Sequence, residues 1–421
     1  MAKKRKKRNA IPPEVTQRTS DKRDSPVRRR RKTPLILWWV VGIAALFVIV
    51  SAAQHAERLL DRLDQWVNPP LARAEIQRQG LIVDVHEHIG SADLAQMYLD
   101  VMDEMGIRTM CLMGSSKFTL TLDESYGFTE YDENNEELMK ILEMYPGRFE
   151  AWPTVSPTDP DKLEKFKALV DRGATGLKLY TGHGYVTKKR EYMFHPVAMD
   201  DPGMLPLYAY CEENFIPVCL HVNPFDDGSH KGKPGFAEEI HAVLTQFPDL
   251  KFDLPHFILS SVRDSRLQEF LDTFPNVYSN ISFGDFFMKE RLLYISEHPD
   301  KFRALFDKYP DRFMFASDLV LIKSPRQNRK WISDQLNAYL DMLTEKTYTT
   351  DAIPGEVLNG LALRDELVEN VLYKNYERLK NDKPQGTKIT RTFQWSRTGI
   401  KRTGREPGEH FPPRPLPAKT K

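Results

Sequence analysis

The chain has 421 residues, 41% of them hydrophobic and 28% charged, which is length enough for a full-size core with residues to spare. Its net charge of +1 conceals basic ends: residues 1–34 carry 14 Lys and Arg against three acids and residues 381–421 carry ten against three, so the middle is acidic and no nucleic-acid footprint falls on it. The three cysteines, Cys111, Cys211 and Cys219, lack paired spacing, which argues against a disulfide framework and predicts burial as small hydrophobes.

In chain order, a basic segment (1–34) precedes "LILWWVVGIAALFVIVSAA", residues 35–53, with no charge in 19 residues. A run of about 20 apolar residues predicts a single transmembrane helix, with Trp38 and Trp39 at an interfacial level. The basic flank then keeps the N-terminus cytoplasmic and puts the catalytic part on the extracytoplasmic side. A cleaved signal peptide, with Ser51-Ala52-Ala53 as the small-residue site, is the competing reading. Residues 54–79 read as a stalk or linker, with Leu59, Leu60, Leu63 and Val67 at helical spacing and Pro69-Pro70 ending it.

From about residue 80 to 380, apolar runs recur at 81–85, 108–113, 149–155, 175–180, 216–221, 251–256, 277–282 and 312–317. Amphipathic stretches such as "ADLAQMYLDVMDEMG" and "DPDKLEKFKALVDRG" separate most of them. Eight strands in βα alternation predict an α/β fold, the (β/α)8 TIM barrel, with a doubly wound open sheet as the rival. Neither G-x-G-x-x-G nor a P-loop is present, so nucleotide-site versions of the rival lack support. After residue 380 the Lys-, Arg- and Pro-rich text lacks periodicity and reads as a disordered basic tail.

The first of these strands ends in "HEH". Residues i and i+2 of a strand share a face, so His86 and His88 project together, at the barrel end where active sites form. Later strands end in Lys178, His221, His256 and Asp318. Neutral imidazole and carboxylate are ligands for zinc and similar divalent ions, manganese and iron included. A lone strand-end histidine is commonly structural; five such groups at equivalent points of successive units are not well explained that way.

The residues "HEH" (86–88), "GLKLY" (176–180), "LH" (220–221), "PH" (255–256) and "SD" (317–318) make the chain resemble the amidohydrolase superfamily, most closely its amidohydrolase-related branch of metal-dependent barrel enzymes. "LVENVLYKNYERLK" (367–380), with Asn375, resembles the closing helix of that branch. The resemblance implies that His86, His88 and Asp318 bind one metal, and that His221 and His256 bind a second where there are two. It also implies that Lys178 occupies the place of a carboxylated, bridging lysine. In a one-metal site His221 would be a further ligand and His256 would orient the nucleophile or substrate.

The chemistry expected is hydrolysis of a small-molecule amide, ester or lactone, with Asp318 and His256 catalytic. Non-oxidative decarboxylation is the alternative, and a catalytically silent binding barrel is a third reading. His183, Tyr185 and Arg263 are candidate substrate-binding residues from the long mouth loops, where Lys188, Lys189, Arg190, Lys323 and Arg326 are also found. The partners expected are a small-molecule substrate, the bilayer through residues 35–53 and a second copy in a homo-dimer, with no nucleic acid.

Overall fold

The computed structural model describes residues 46–52, 55–56, 69–123, 126–180, 185–186, 192–193, 197–221, 236–259 and 264–384. The chain divides into two units, Met1–Pro69 and Pro70–Lys421.

In the first unit the described part of the apolar run is an exposed helix over residues 46–52. The rest of 35–53, the basic segment 1–34 and residues 57–68 lie outside the described residues. Among the described residues no helix is long and apolar enough to cross a membrane. This corrects the expectation of a transmembrane helix at 35–53, and with it the single-pass membrane localisation and extracytoplasmic catalytic domain.

The second unit opens on a short helix, Arg73–Arg78, in the stretch expected to be linker. Ile76 is fully buried, Gln77 Nε2 donates to Met105 O at 3.3 Å, and the Arg73 guanidinium donates to Asp341, Thr344 and Asn337. These anchors bring the ordered body forward of residue 80.

Eight parallel strands then fall on the eight apolar runs. They are β1 (Ile82–Ile89), β2 (Ile107–Met113), β3 (Phe149–Trp152), β4 (Leu177–Tyr180), β5 (Val218–His221), β6 (Phe252–Asp253), β7 (Val277–Asn280) and β8 (Phe313–Met314). Every residue of β1 is buried, as expected of a parallel strand covered on both faces. The helices between them include α1 (Ala95–Met105), α2 (Tyr131–Met144), α3 (Lys162–Asp171), α4 (Leu205–Glu213), α5 (Phe236–Gln246) and α6 (Asp264–Thr273). After β7 come α7 (Gly284–Glu297) and α8 (Pro299–Lys308), and α9 (Arg329–Thr344) follows β8.

Strands β1 to β3 form one sheet and β4 to β8 another. Hydrogen bonds join them at both margins. Thr154, just past β3, bridges Lys178 of β4, whose N donates to Pro153 O at 2.9 Å. On the other side Val85 N donates to Phe315 O at 3.0 Å, and Val320–Leu321 pairs with the end of β1. The two sheets thus meet edge to edge, an α/β fold of the TIM-barrel kind that leaves few strand edges unpaired.

Packing between layers is close. Trp152, fully buried, lies so near Gly176 that a Cβ there would fall 2.1 Å from its ring, which explains the glycine ahead of β4. Phe257, Phe283, Phe302, Phe306 and Phe313 form an aromatic layer under the later strands. Cys111, Cys211 and Cys219 are buried and unpaired, as composition suggested.

The closing segment comprises helix Asp365–Glu369, a π-helical turn Asn370–Lys374 and helix Asn375–Asn381. Within the π-turn the Val371 carbonyl accepts from Phe315 N at 2.8 Å. Asn375 Nδ2 donates to the carbonyls of Phe313, at 2.8 Å, and Pro310, at 3.0 Å. Both contacts fasten the stretch that leads to Asp318. Residues 385–421 of the basic tail lie outside the described residues.

Candidate metal centre

His86 and His88 leave β1 on one face, and their Nε2 atoms stand 3.2 Å apart. Asp318 follows β8, where Asp318 N donates to His86 O at 2.8 Å. Its Oδ1 lies 3.3 Å from His86 Nε2 and 3.1 Å from His88 Nε2. One ligand atom from each of these three residues lies within 4.8 Å of the others.

The surrounding hydrogen bonds decide which ring nitrogens carry protons. His88 Nδ1 meets Ser115 Oγ at 2.7 Å and the Met113 carbonyl at 3.3 Å. A carbonyl only accepts, so His88 Nδ1 donates, and in the neutral form of the ring the lone pair falls on Nε2. His256 repeats the arrangement: Nδ1 meets Ser282 O at 3.1 Å and Ser282 Oγ at 2.9 Å, which leaves its Nε2 lone pair facing His221 Nδ1 at 3.2 Å. Around His86, Asn280 Nδ2 lies 3.2 Å from Nδ1 and donates at 2.7 Å to Asp253, while Lys178 Nζ is 2.9 Å from Nε2. Lys178 is fully buried, with Cys219 Sγ at 3.5 Å and the Tyr180 ring centroid 5.0 Å away.

Electrostatics favour the neutral forms of His86 and His256. Burial, followed by the charge of Lys178, pushes His86 well below the usual histidine range. His256 is lowered to about 4, again chiefly by burial. For Asp318 burial acts upward, but His256, His88 and Lys178 together outweigh it, and its carboxyl lies below its ordinary value. Two imidazoles and one carboxylate form a group that could hold a divalent metal ion. Behind them, burial raises Asp84 and Glu87, and the charge of Asp84 raises Glu87 further.

Backbone strain concentrates at the same place. His256, Phe257 and Asp318 have φ of 62°, 50° and 58°, a left-handed conformation costing a non-glycine residue about 1–2 kcal/mol. Gly284, at φ 67°, opens α7 against Asp318; a Cβ there would lie 3.2 Å from both Asp318 O and Oδ2. The fold therefore puts a glycine where the aspartate needs room.

Of the candidate site residues, His86, His88, Lys178 and Asp318 come together, and His221 and His256 form an adjoining pair. His183 and Arg263 lie outside the described residues; Tyr185 begins the short strand Tyr185–Val186, and its side chain is likewise outside them. Lys323 pairs with Asp93 at 2.7 Å on the surface. Sequence reasoning passed over Ser115, Asp253, Asn280 and Ser282. Asn280 ends β7, so the strand-end rule already applied to its neighbours would have found it. The serines gave no such signal, because their partners are distant in sequence.

A sequence model of the family described as Amidohydrolase matches residues 83–379. The chain belongs to the amidohydrolase family. The match spans every strand-end group named above, and the fold and the metal-ligand chemistry agree with what membership implies for a family that typically binds divalent metal. An uncharacterized TIM-barrel protein from Bordetella bronchiseptica is similar at 19% identity, with 71% of this chain and 97% of that one covered and a TM-score of 0.47. A 2,6-dihydroxybenzoate decarboxylase from Rhizobium is similar at 19% identity, over 71% and 98% of the two chains, with a TM-score of 0.42. A 5-carboxyvanillate decarboxylase from Sphingomonas paucimobilis shares 14% identity over 71% and 98%, with a TM-score of 0.41. No curated protein sequence matches the chain.

Proposed function

We propose that this amidohydrolase-family protein is a metal-dependent hydrolase of a small-molecule amide, ester or lactone, with His86, His88 and Asp318 holding a divalent cation. The observation that carries the reading is the convergence of those three ligand atoms within 4.8 Å at strand ends of a TIM-barrel-like fold. Zinc, manganese and iron all suit the donor set. When bound, the cation would lower the pKa of water toward neutrality and polarise a carbonyl.

The chain supplies the rest. Asp318, held below its ordinary value, stays ionised and can take a proton from the attacking water and return it to the leaving nitrogen or oxygen. His256, locked through Ser282 with its Nε2 lone pair outward, orients the nucleophile or substrate in a one-metal site. With two cations, His221 and His256 would serve as further ligands, and a carboxylated Lys178 would supply an anionic one. As an ammonium, Lys178 instead offers a buried positive charge for a substrate carboxylate. That feature favours a second reading, non-oxidative decarboxylation, in which Asp318 or His256 handles the proton.

The test is the metal-to-protein ratio of the full chain, followed by turnover assays of Asp318→Asn. A ratio near one supports the single three-residue centre, and a ratio near two supports the carboxylated Lys178. No metal after reconstitution with zinc or manganese, or undiminished turnover in the variant, overturns the assignment.

A further inference from the structure

We propose that Glu87 is a positioning residue for the metal centre, a buried carboxylate that ties the histidine-bearing strand to the segment carrying Asp318. The inference rests on the metal reading above. Glu87 stands between the two histidines on β1, so its side chain leaves the strand on the opposite face. Its strand neighbours Ile82, Val83, Val85 and Ile89 are all buried and apolar, yet Glu87 itself is fully buried. A carboxyl group in such a layer is costly unless its oxygens are occupied.

Both are occupied, by groups that lead to the site. One oxygen accepts from Ser317 Oγ, the residue immediately before Asp318. The other accepts from Tyr98 OH at 2.6 Å. That same hydroxyl lies 3.2 Å from the carbonyl of His88 and 3.4 Å from the carbonyl of Leu319. One side chain thus reaches Ser317 directly and, through Tyr98, the backbone carbonyls of His88 and of Leu319.

Asp318 needs such support. It holds a left-handed backbone at φ 58°, a conformation that persists only where its surroundings over-determine it. Ser317 is fixed from three further directions: its N donates to Asp84 Oδ1 at 3.3 Å, and its carbonyl accepts from Tyr339 OH at 3.1 Å and Gly284 N at 3.2 Å. Glu87 fixes the remaining group, the Ser317 hydroxyl. Groups behind first ligands commonly govern metal affinity by orienting them.

The experiment compares zinc affinity, by chelator competition, and the visible spectrum of the cobalt-substituted full-length protein in wild type, Glu87→Gln, Glu87→Ala and Ser317→Ala. Leu138→Ala, in the buried face of α2, is a control for general destabilisation. Glu87→Ala and Ser317→Ala should each weaken zinc binding by about tenfold and alter the cobalt bands. Glu87→Gln should stay close to wild type, since its carbonyl can accept from Ser317 and its amide can donate to the Tyr98 oxygen. Leu138→Ala should leave affinity and spectrum unchanged. Wild-type affinity and spectrum in Glu87→Ala, or in Ser317→Ala where the first variant does not fold, overturns the inference while the metal reading stands. Absence of metal binding by the wild-type chain overturns both.

Discussion

Replacing Phe257 tests whether the aromatic layer beneath the site also sets the cost of its strained backbone. Phe257 is 2% exposed, and its ring centroid lies 5.5 Å from Phe313, 5.8 Å from Phe302, 6.1 Å from Phe283 and 6.2 Å from Phe306. Truncating such a ring to alanine costs about 3–5 kcal/mol, and four aromatic neighbours place this site in the upper half of that range. Alanine keeps a Cβ, so it retains the penalty of φ 50°; glycine relieves about 1 kcal/mol of it. Phe257→Ala should therefore lose about 4 kcal/mol, and Phe257→Gly about 1 kcal/mol less. Urea denaturation of the metal-free protein, followed by circular dichroism with the slope held common, measures both. A loss below about 1 kcal/mol in Phe257→Ala, or a glycine variant weaker than the alanine one, would refute the account of packing and strain.

Three other perturbations probe separate parts of the molecule. Asp318→Asn should reduce bound zinc measured by elemental analysis while the far-ultraviolet circular dichroism stays native; unchanged metal content removes Asp318 from the ligand set. Gly176→Ala drives a methyl into Trp152 and should destabilise the fold by about 1–3 kcal/mol or more, with thermal denaturation as the check and an unchanged midpoint as the contrary result. Asp253 offers a pH test, since burial raises its carboxyl to about 6 from 3.8. Between those values the folded state binds more protons than the unfolded chain, so this group's contribution to stability falls as pH rises from about 4 to 6, by roughly 3 kcal/mol in total. Asp253→Asn lacks that dependence. The stability of wild type minus variant should decline over this window and level off above it, and a flat difference would show that Asp253 titrates normally.

Much of the centre was legible because a barrel strand imposes a simple rule on its sequence. His86 and His88 share a face through the two-residue period of β1, and Lys178, His221 and Asp318 occupy comparable ends of later βα units. Local spacing was enough to group them. The same reading misjudged the apolar run at 35–53, because hydropathy reports the capacity to leave water without reporting the environment that receives the segment. It also treated Arg73–Arg78 as linker, since only contact with Met105, Asn337 and Asp341 reveals Ile76 as a core residue.

By itself the sequence determined the α/β alternation, the strand ends and the identity of the candidate metal-ligating groups, because each follows from the order of side chains along a single strand or helix. Tertiary structure alone decided which nitrogen of His88 and of His256 is turned toward the site, since Ser115 and Ser282 choose it from the segments after β2 and β7. It also decided that Glu87 points into the network holding Asp318. A hydrogen bond depends on distance and direction in space, and residues 87 and 317 acquire both only when β1 and the segment after β8 lie side by side.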